Sequence, residues 1–281
     1  MKNLDSFTSP YLQITKTRLF GEEILFATDQ PEDLIQSHHL QGVFYEPDEL
    51  MIMSKRFPKG GRLLDIGSNV GNHTVFFGKI LKASHIKSIE VNQRIIEILK
   101  TNIAINNLSD ICDISHLGLG LHSETVDNAS IGWTEDNIGG GRVSTDGEGN
   151  IQLVKGDDIF DSEFDLVKID VEGLEIEVLK GMKEFIGKYK PDMFIEVDDV
   201  NSDAFMTWIA DNGYRILHEF RRYTVNNNYL KVNNDYLTVN DDYLTVNNDY
   251  LTVNNDYLTV KNEYYTLSRV FASTTFCLIF Q

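Results

Sequence analysis

Short apolar runs alternate with amphipathic stretches through the middle of the chain, and this alternation restricts the fold more than any other feature. Strands are predicted at residues 62–66, 85–91, 111–115, 164–170 and 191–197. Stretches with helical periodicity follow the first, second, fourth and fifth of these runs. Helices between successive strands act as crossover connections, which make neighbouring strands parallel. The sequence therefore predicts an α/β fold with helices on both faces of a mainly parallel sheet.

The chain is acidic, with 25 Lys and Arg residues against 43 Asp and Glu residues and a formal net charge of −18. Binding to a phosphate backbone normally needs a basic face. The charge therefore argues against nucleic acid as a partner and suits a neutral or cationic ligand.

Cys112 and Cys277 are the only cysteines, which excludes a disulfide-dense scaffold and is typical of a reducing compartment. The first residues carry no secretion signal, and no apolar run is long enough to span a bilayer. We therefore expect a cytoplasmic protein. The apolar tail at residues 265–281 is expected to dock on a surface, on a partner or at the inner face of the membrane.

Composition divides the rest of the chain into three segments. Residues 1–60 hold four of the five prolines and are predicted to form an N-terminal cap or substrate segment, in which His38 and His39 are incidental. Residues 61–230 carry the strand and helix pattern and are predicted to form the ligand-binding domain. Within it, the Gly-rich stretch 132–149 predicts either a lid or substrate clamp or a flexible insertion.

The third segment, residues 225–264, repeats the seven-residue unit DYLTVNN. Apolar residues three and four apart in a seven-residue period are typical of one face of a helix. The unit also resembles the C-terminal heptads of some bacterial fucosyltransferases, which implies helices that pair subunits into a homo-oligomer. The alternative is a series of short strands with NND as turns.

The segment LLDIGSNVG, residues 63–71, joins a predicted strand to a predicted helix through a glycine turn. Its glycines let the backbone approach a ligand closely, and the start of the helix offers free N–H groups. The dinucleotide fingerprint is not matched, because the middle glycine that admits a pyrophosphate is missing. An acidic residue ahead of the turn suits a cationic ligand and favours S-adenosylmethionine over nicotinamide. The cofactor-binding candidates in this loop are Asp65, Gly67, Ser68, Asn69 and Gly71.

Glu90 ends the second predicted strand, in SIEVNQ. A carboxylate in this place can accept hydrogen bonds from both ribose hydroxyls of an adenosine cofactor. Its separation from Gly67 is close to the spacing of about 20 residues expected for that contact. Glu90 and its neighbours Val91 and Asn92 are therefore predicted to bind the cofactor, and the alternative for Glu90 is a solvated strand end.

The segment LVKIDVEGLEIEVLKG, residues 166–181, places Asp170 and Glu172 just beyond the fourth predicted strand. Open α/β sheets bind their ligands at this carboxyl edge. Glu196 occupies the corresponding place in the fifth strand, in FIEVDD. Glu175 lies in the first turn of a predicted helix, where a negative charge is favourable without any chemistry.

These motifs together resemble the FkbM family of S-adenosylmethionine-dependent methyltransferases, from about residue 42 to about residue 230. The resemblance rests on LLDIGSNVGNHT, SIEVN, TNIAINN, LVKIDVEGLEIEVLKG and PDMFIEVDD, and YEPDE is similar to the family's upstream segment. It implies a class I methyltransferase fold, a Rossmann-like sheet of seven strands with the last one antiparallel. It also implies O-methylation and adds Glu46, in YEPDE, to the cofactor-binding candidates. SIEVN departs from the Glu-Pro pair that is more usual in the family.

Transfer of a methyl group to a hydroxyl requires that the hydroxyl lose its proton, with a base or a metal ion to assist. Asp170 is predicted to lie near the methyl donor and the substrate, with Glu172 or Glu196 as base or hydroxyl orienter. Asp170, Glu196 and Asp198 also form a candidate set of Mg²⁺ ligands, so a metal requirement stays open. The alternative bases are His73, His116 and His218, each of which is also explained by packing or surface position.

The predicted function is O-methylation of a carbohydrate, in a bacterial surface glycan or its precursor. Two alternatives remain open: a methyltransferase acting on a non-sugar small molecule, and an S-adenosylmethionine-binding assembly protein that acts through its repeats. Methylation of a nucleic acid base is disfavoured, because DVEG stands where an Asn/Asp-Pro-Pro-aromatic element is usual.

Overall fold

The computed structural model describes residues 12–57, 59–134, 137–225, 238–240, 243–246, 249–254, 257–260, 263–266 and 271–280, and beyond residue 219 it describes the backbone only. The chain forms two compact units, Met1–Met193 and Phe194–Gln281. Within the described ranges, no helix combines the length and the apolar character needed to cross a bilayer.

In the residues that the structure describes, ten strands and seven helices lie wholly within the first unit. Its strands are β1 (Gln13–Leu19), β2 (Glu22–Thr28), β3 (Arg62–Ile66), β4 (His85–Ile89), β5 (Cys112–Asp113), β6 (Leu119–Leu121), β7 (Val126–Thr134), β8 (Asn137–Ser144), β9 (Ile151–Val154) and β10 (Leu166–Ile169). Its helices are α1 (Leu34–Leu40), α2 (Pro47–Arg56), α3 (Asn72–Lys79), α4 (Gln93–Ile105), α5 (Gly156–Ile159), α6 (Glu175–Gly181) and α7 (Lys183–Tyr189).

Strand β11 (Asp192–Asp198) begins in the first unit and ends in the second. The second unit continues with a 3-10 turn at Asp199–Asn201 and with helix α8 (Ser202–Asn212). Its remaining strands are β12 (Arg215–Val225), β13 (Thr238–Asn240), β14 (Tyr243–Val246), β15 (Asp249–Asn254), β16 (Tyr257–Val260), β17 (Glu263–Thr266) and β18 (Phe271–Phe280).

A parallel sheet forms the centre of the first unit, with the strand order β10-β3-β4-β5. Helix α3 connects β3 to β4, and α4 connects β4 to β5. Strand β3 is buried on both sides from Leu63 to Ile66, as expected where helices cover both faces of a sheet. The α/β prediction is therefore confirmed. The helix predicted after the fourth strand is split at Met182 into α6 and α7.

Two asparagine side chains attach the N-terminal hairpin β1–β2 to helix α4. Asn102 accepts a hydrogen bond from the Ala27 N–H at 2.7 Å, and its amide nitrogen donates to Val70 O at 2.8 Å. Asn106 accepts from the Leu25 N–H at 3.0 Å and donates to Leu25 O at 2.7 Å. Leu25 and Ala27, alternate residues of β2, thus bind two asparagine side chains that lie one helical turn apart. These side chains satisfy backbone groups that a neighbouring strand would otherwise satisfy.

His39, on α1, is fully buried within the first unit. Its ring stacks on Phe26 with 4.2 Å between centroids, and its Nε2 lies 3.1 Å from Asn72 Oδ1. Burial lowers the pKa of His39 to about 4. The expectation that His39 is incidental is therefore wrong, because the N-terminal segment packs into the core instead of lying over it.

The apolar tail forms a strand of the second unit. Strand β18 pairs antiparallel with β12, in a register that runs from Arg215 opposite Phe280 to Val225 opposite Phe271. Residues 271–280 are therefore paired within the chain, and docking of the tail on a partner or a membrane stays a prediction. The repeats lie between these two paired strands, so they are an insertion into a hairpin and not a C-terminal extension.

The described residues of the repeats form short strands and not a helix. Strands β13 to β17 make a five-stranded antiparallel meander. The register places Leu244 opposite Leu251 and Val253 opposite Leu258. The prediction of a helix is wrong for these residues, because successive segments pair antiparallel, and an odd period then no longer conflicts with strand pairing. Homo-oligomerisation stays a prediction.

We expect Asn102→Ala to lower the free energy of unfolding by about 3 kcal/mol, because it leaves buried backbone groups of Ala27 and Val70 without their partners. Urea denaturation measures this loss. The control is Thr101→Ala, which removes only an exposed hydrogen bond to Glu97 O and is expected to cost less than about 0.5 kcal/mol. A similar small loss for both variants would show that Asn102 does not hold the hairpin.

We expect the burial of His39 to make the protein acid-sensitive. The unfolded chain binds a proton near pH 6.5, whereas folded His39 does so only near 4, so stability falls as the pH drops between these values. Between about pH 7.5 and about pH 5 this single group is expected to remove about 2 kcal/mol. His39→Gln keeps a donor toward Asn72 and does not titrate, so its stability is expected to depend less on pH by that amount. Equal pH dependence of both proteins in urea denaturation would contradict the prediction.

Candidate functional site

The candidate site lies where β3, β4 and β10 end side by side. Because these strands are parallel neighbours, their carboxyl ends meet at the same edge of the sheet. The glycine loop, defined as residues 67–71, leaves β3 at this edge and leads into α3.

The glycine loop turns tightly because its backbone lies against the end of β10. A Cβ atom on Gly67, whose φ is +77°, would lie 1.7 Å from Asp170 O, so only glycine fits. The N–H groups of Gly67 and Ser68 both donate to Ile89 O, at 2.9 and 3.0 Å. The Ser68 hydroxyl is buried and donates to Asp65 O at 2.8 Å. Ser68 therefore supports the loop from within.

Glu90 is a buried acceptor for backbone N–H groups of two segments. Its Oε2 accepts from Asn69 N at 2.8 Å, and its Oε1 accepts from Val91 N and Asn92 N, each at 2.8 Å. Burial raises the pKa of Glu90, and these hydrogen bonds act in the opposite direction. The carboxylate thus joins the glycine loop to the end of β4. The alternative of a solvated strand end is wrong, because Glu90 is 7% exposed.

A buried lysine, Lys168, lies between the carboxylates of β3 and β10. Its Nζ donates to Gly67 O at 2.6 Å and lies 3.0 Å from Asp170 Oδ2 and 3.6 Å from Asp65 Oδ1. Burial by itself would lower the pKa of Lys168, but the charges of Asp170 and Asp65 raise it above its usual range. The Thr74 hydroxyl donates to the other oxygen of Asp65 at 2.6 Å. Asp65 is fully buried, whereas the Asp170 side chain is 24% exposed.

Glu46 and His73 form a second buried pair in the first unit. Glu46 precedes α2 in a left-handed conformation with φ 62°, and its Oε2 lies 3.5 Å from His73 Nε2. The charge of Glu46 also contributes to the raised pKa of Lys168.

The turn after β10 also has unusual backbone geometry. Glu172 and Gly173 are both left-handed, with φ of 50° and 100°. The Gly173 N–H donates to the buried Glu175 carboxylate at 2.6 Å, so Glu175 stabilises the turn. Left-handed non-glycine residues are costly and tend to occur at functional sites. Glu172 lies two residues from Asp170 at the same edge.

The hairpin β7–β8 covers one side of the glycine loop. It occupies much of the stretch 132–149, so the prediction of a flexible insertion is wrong for these residues. The peptide groups of Ile138 are held from two sides: Asp33 Oδ2 accepts from Ile138 N at 3.1 Å, and the Asn92 amide donates to Ile138 O at 3.1 Å. A Cβ atom on Gly139 would meet the Asn69 side chain at 1.8 Å.

The remaining candidates are separate from this group or have a structural role. Val91 packs against the apolar cluster of Ala129, Ile151 and Leu153. His116 follows β5, with its Nδ1 2.9 Å from the Ser115 hydroxyl. Glu196 and Asp198 lie on β11 and His218 on β12, in the second unit, and their catalytic roles stay predictions. Among the described residues, no three His, Cys, Asp or Glu side chains are grouped as metal ligands.

Two residues of the site, Lys168 and Asp33, are not among the candidates predicted from the sequence. A charged residue inside the apolar strand LVKI is a signal that a buried ion pair exists, although it does not identify the partners. Asp33 caps α1, accepting from Ile35 N and Gln36 N, and its reach to Ile138 crosses 105 residues of sequence. No local pattern predicts that contact.

The family model described as the methyltransferase FkbM domain matches residues 65–216, more than half of the 281 residues. The chain belongs to the FkbM methyltransferase family. The matched range contains the glycine loop, Glu90, Lys168 and Asp170. It ends before the repeats, so the family carries no information about them.

Several known proteins are similar to this FkbM chain. The hexuronic acid methyltransferase AglP of Haloferax volcanii is 29% identical over 171 residues, which are 58% of this chain and 65% of that protein. The match thus spans less than two thirds of the relative. The FkbM methyltransferase of Methylobacillus flagellatus KT superposes with a TM-score of 0.44 at 16% identity, over 79% of this chain and 44% of that one. The M. jannaschii TYW2 in complex with AdoMet gives 0.42 at 12% identity, over 95% and 86%.

We expect Gly67→Ala to cost more than about 3 kcal/mol of stability, because its Cβ would collide with the backbone of Asp170. The matched control is Gly147→Ala. Gly147 has a φ of +83°, but nothing lies within 4 Å of its Cβ position, so the cost is expected to be only about 1 kcal/mol. Urea denaturation of both variants measures the difference. Equal losses would show that the strand ends do not approach closely at Gly67.

Proposed function

We propose that this FkbM-family protein is an S-adenosylmethionine-dependent O-methyltransferase that methylates a hydroxyl of a carbohydrate, in a surface glycan or its precursor. The observation that carries the proposal is the buried Glu90 carboxylate, which joins Asn69 of the glycine loop to the end of β4. An acidic residue at this place of an α/β fold suits the ribose of an adenosine cofactor.

The residues at the sheet edge fit this cofactor. A carboxylate offers about four acceptor positions, and the three N–H groups bound to Glu90 leave room for one ribose hydroxyl rather than both. The backbone of Gly67 and Asn69 is only half-buried and can approach a ligand closely. Asp65 is fully buried, so we assign it to supporting the loop through Lys168 and Thr74, not to direct contact.

Bound S-adenosylmethionine supplies a methyl group on a sulfonium that leaves as a neutral thioether, so the methyl group needs no further activation. The protein has to orient the acceptor hydroxyl, exclude water and receive the hydroxyl proton. Asp170 is a partly exposed carboxylate at the sheet edge, and we assign it the orientation of the hydroxyl and the acceptance of its proton. Glu172, in the adjoining turn, is the second candidate base.

The substrate class rests on a relative and on charge. The archaeal relative is named as a hexuronic acid methyltransferase, which supports a sugar acceptor. The net charge of −18 disfavours a nucleic acid. Action on a lipid-linked precursor would place the enzyme at the inner face of the membrane, which stays a prediction.

The first test is calorimetric titration of S-adenosylmethionine into the wild type, Glu90→Gln and Glu97→Gln. We expect micromolar binding to the wild type and at least about tenfold weaker binding to Glu90→Gln, because an amide cannot accept from all three N–H groups. Glu97 is an exposed residue on α4 and serves as the matched control, with unchanged affinity. A wild type that does not bind the cofactor would overturn the proposal.

The acceptor class is tested with labelled cofactor and panels of acidic glycans, neutral glycans and non-sugar alcohols. We expect transfer to a glycan by the wild type, and turnover at saturating cofactor reduced about a hundredfold or more by Asp170→Asn. Tight cofactor binding without transfer to any acceptor would favour an assembly protein, and transfer only to non-sugar alcohols would reassign the substrate.

A further inference from the structure

Lys168 is a charged residue in the middle of an otherwise apolar, fully buried strand. Its side chain is 2% exposed. A buried ammonium group is costly unless it is both paired and hydrogen-bonded. Its partners therefore show what the protein gains by keeping a cation at this position.

All three close partners of the Lys168 Nζ lie at the proposed cofactor site. The carbonyl of Gly67 belongs to the glycine loop, Asp170 follows β10, and Asp65 belongs to β3. One ammonium group thus ties the loop to the ends of two strands. Because the backbones of Gly67 and Asp170 are already in close contact, a shift of either would move the other.

The charge of Lys168 also sets the electrostatic character of the edge. Burial raises the pKa of Asp65, whereas the charge of Lys168 and the hydrogen bond from Thr74 oppose that shift. When Asp65 and Asp170 are both ionised, the protonated lysine reduces their two negative charges to a net charge of one. Methyl transfer converts the cationic sulfonium of the cofactor into a neutral thioether. A more negative edge would therefore favour the substrate form of the cofactor over the product form, and a less negative edge would do the reverse.

We propose that Lys168 is a positioning residue that fixes Gly67 and Asp170 relative to each other and, through its charge, sets the preference of the site between S-adenosylmethionine and S-adenosylhomocysteine. This inference rests on the proposed function. It assigns Lys168 no contact with the reacting atoms, because the side chain is 2% exposed and its Nζ is bound to Gly67 O and paired with Asp170 and Asp65.

The test measures the dissociation constants of both cofactor forms, by calorimetry, for the wild type and Lys168→Met. We expect weaker binding of S-adenosylhomocysteine and a shift of about tenfold in the preference toward S-adenosylmethionine, as expected for one charge at intermediate effective dielectric. A purely structural role would weaken both ligands by the same factor and leave the preference unchanged, which would overturn the proposal.

Lys87→Met is the matched control. Lys87 lies on the neighbouring strand β4, its side chain is 9% exposed, and its Nζ lies 2.7 Å from Asp113 Oδ2. It is therefore a second buried lysine in an ion pair, but none of its recorded partners belongs to the glycine loop or to the end of β10. We expect loss of stability in this variant without a change in ligand preference. A preference shift as large as that of Lys168→Met would contradict the proposal.

Two further variants separate charge from positioning and cover the case in which Lys168→Met does not fold. Asp65→Asn lowers the negative charge of the edge, and its preference is expected to shift toward S-adenosylhomocysteine. The double variant Asp65→Asn with Lys168→Met has the same net charge as the wild type. Its preference between the two ligands is expected to return to within about twofold of the wild type. Both ligands are expected to bind more weakly, because the contacts of Lys168 with Gly67 and Asp170 are lost.

A double variant that keeps the preference of one of its parents would overturn the proposal. Failure of the wild type to bind either ligand would instead overturn the proposed function. The two failures are therefore distinguishable in the same titrations.

Discussion

The ammonium group of Lys168 bridges the parts of the protein that meet at the ends of β3 and β10. An ion in the protein interior is stable only with compensating charges, so Asp65 and Asp170 have to end their strands within reach of it. The same group donates a hydrogen bond to Gly67 O and so holds the turn of the glycine loop. The close approach of Gly67 to Asp170 and the fixed start of α3 both follow from this arrangement.

Polar side chains connect elements that are distant in sequence throughout the first unit. Asp33 and Asn92 each cap a helix, and both also bind the peptide groups of Ile138. Asn102 and Asn106 likewise bind backbone groups of β2. Because buried backbone groups need partners, such contacts fix the position of a segment more specifically than apolar packing alone. The N-terminal segment and the hairpin β7–β8 are thereby parts of the site and not attachments to it.

The repeats show how two paired strands accommodate a long connection between them. They are inserted between β12 and β18, two strands that remain paired. The entropic cost of closing a hairpin rises only slowly with the length of its connection. The unit YLTV is long enough for a short strand, as in β14 and β16. The insertion can thus form a sheet of its own without changing the pairing on either side.

The sequence by itself determined the parallel sheet, the glycine loop and the acidic residues at its edge. These features depend on local patterns: buried strands, helical periodicity, and a glycine where the backbone has to turn. The sequence did not determine the secondary structure of the repeats, because their period suits a helix or a meander. It also did not determine the roles of His39 and Asp33. Those roles depend on contacts across long stretches of chain. Only the tertiary structure decided that Glu90 accepts a hydrogen bond from the glycine loop, and that a lysine in LVKI lies between two aspartates. A pattern in one strand shows that a charge is buried, whereas its partners are set by which strands become neighbours.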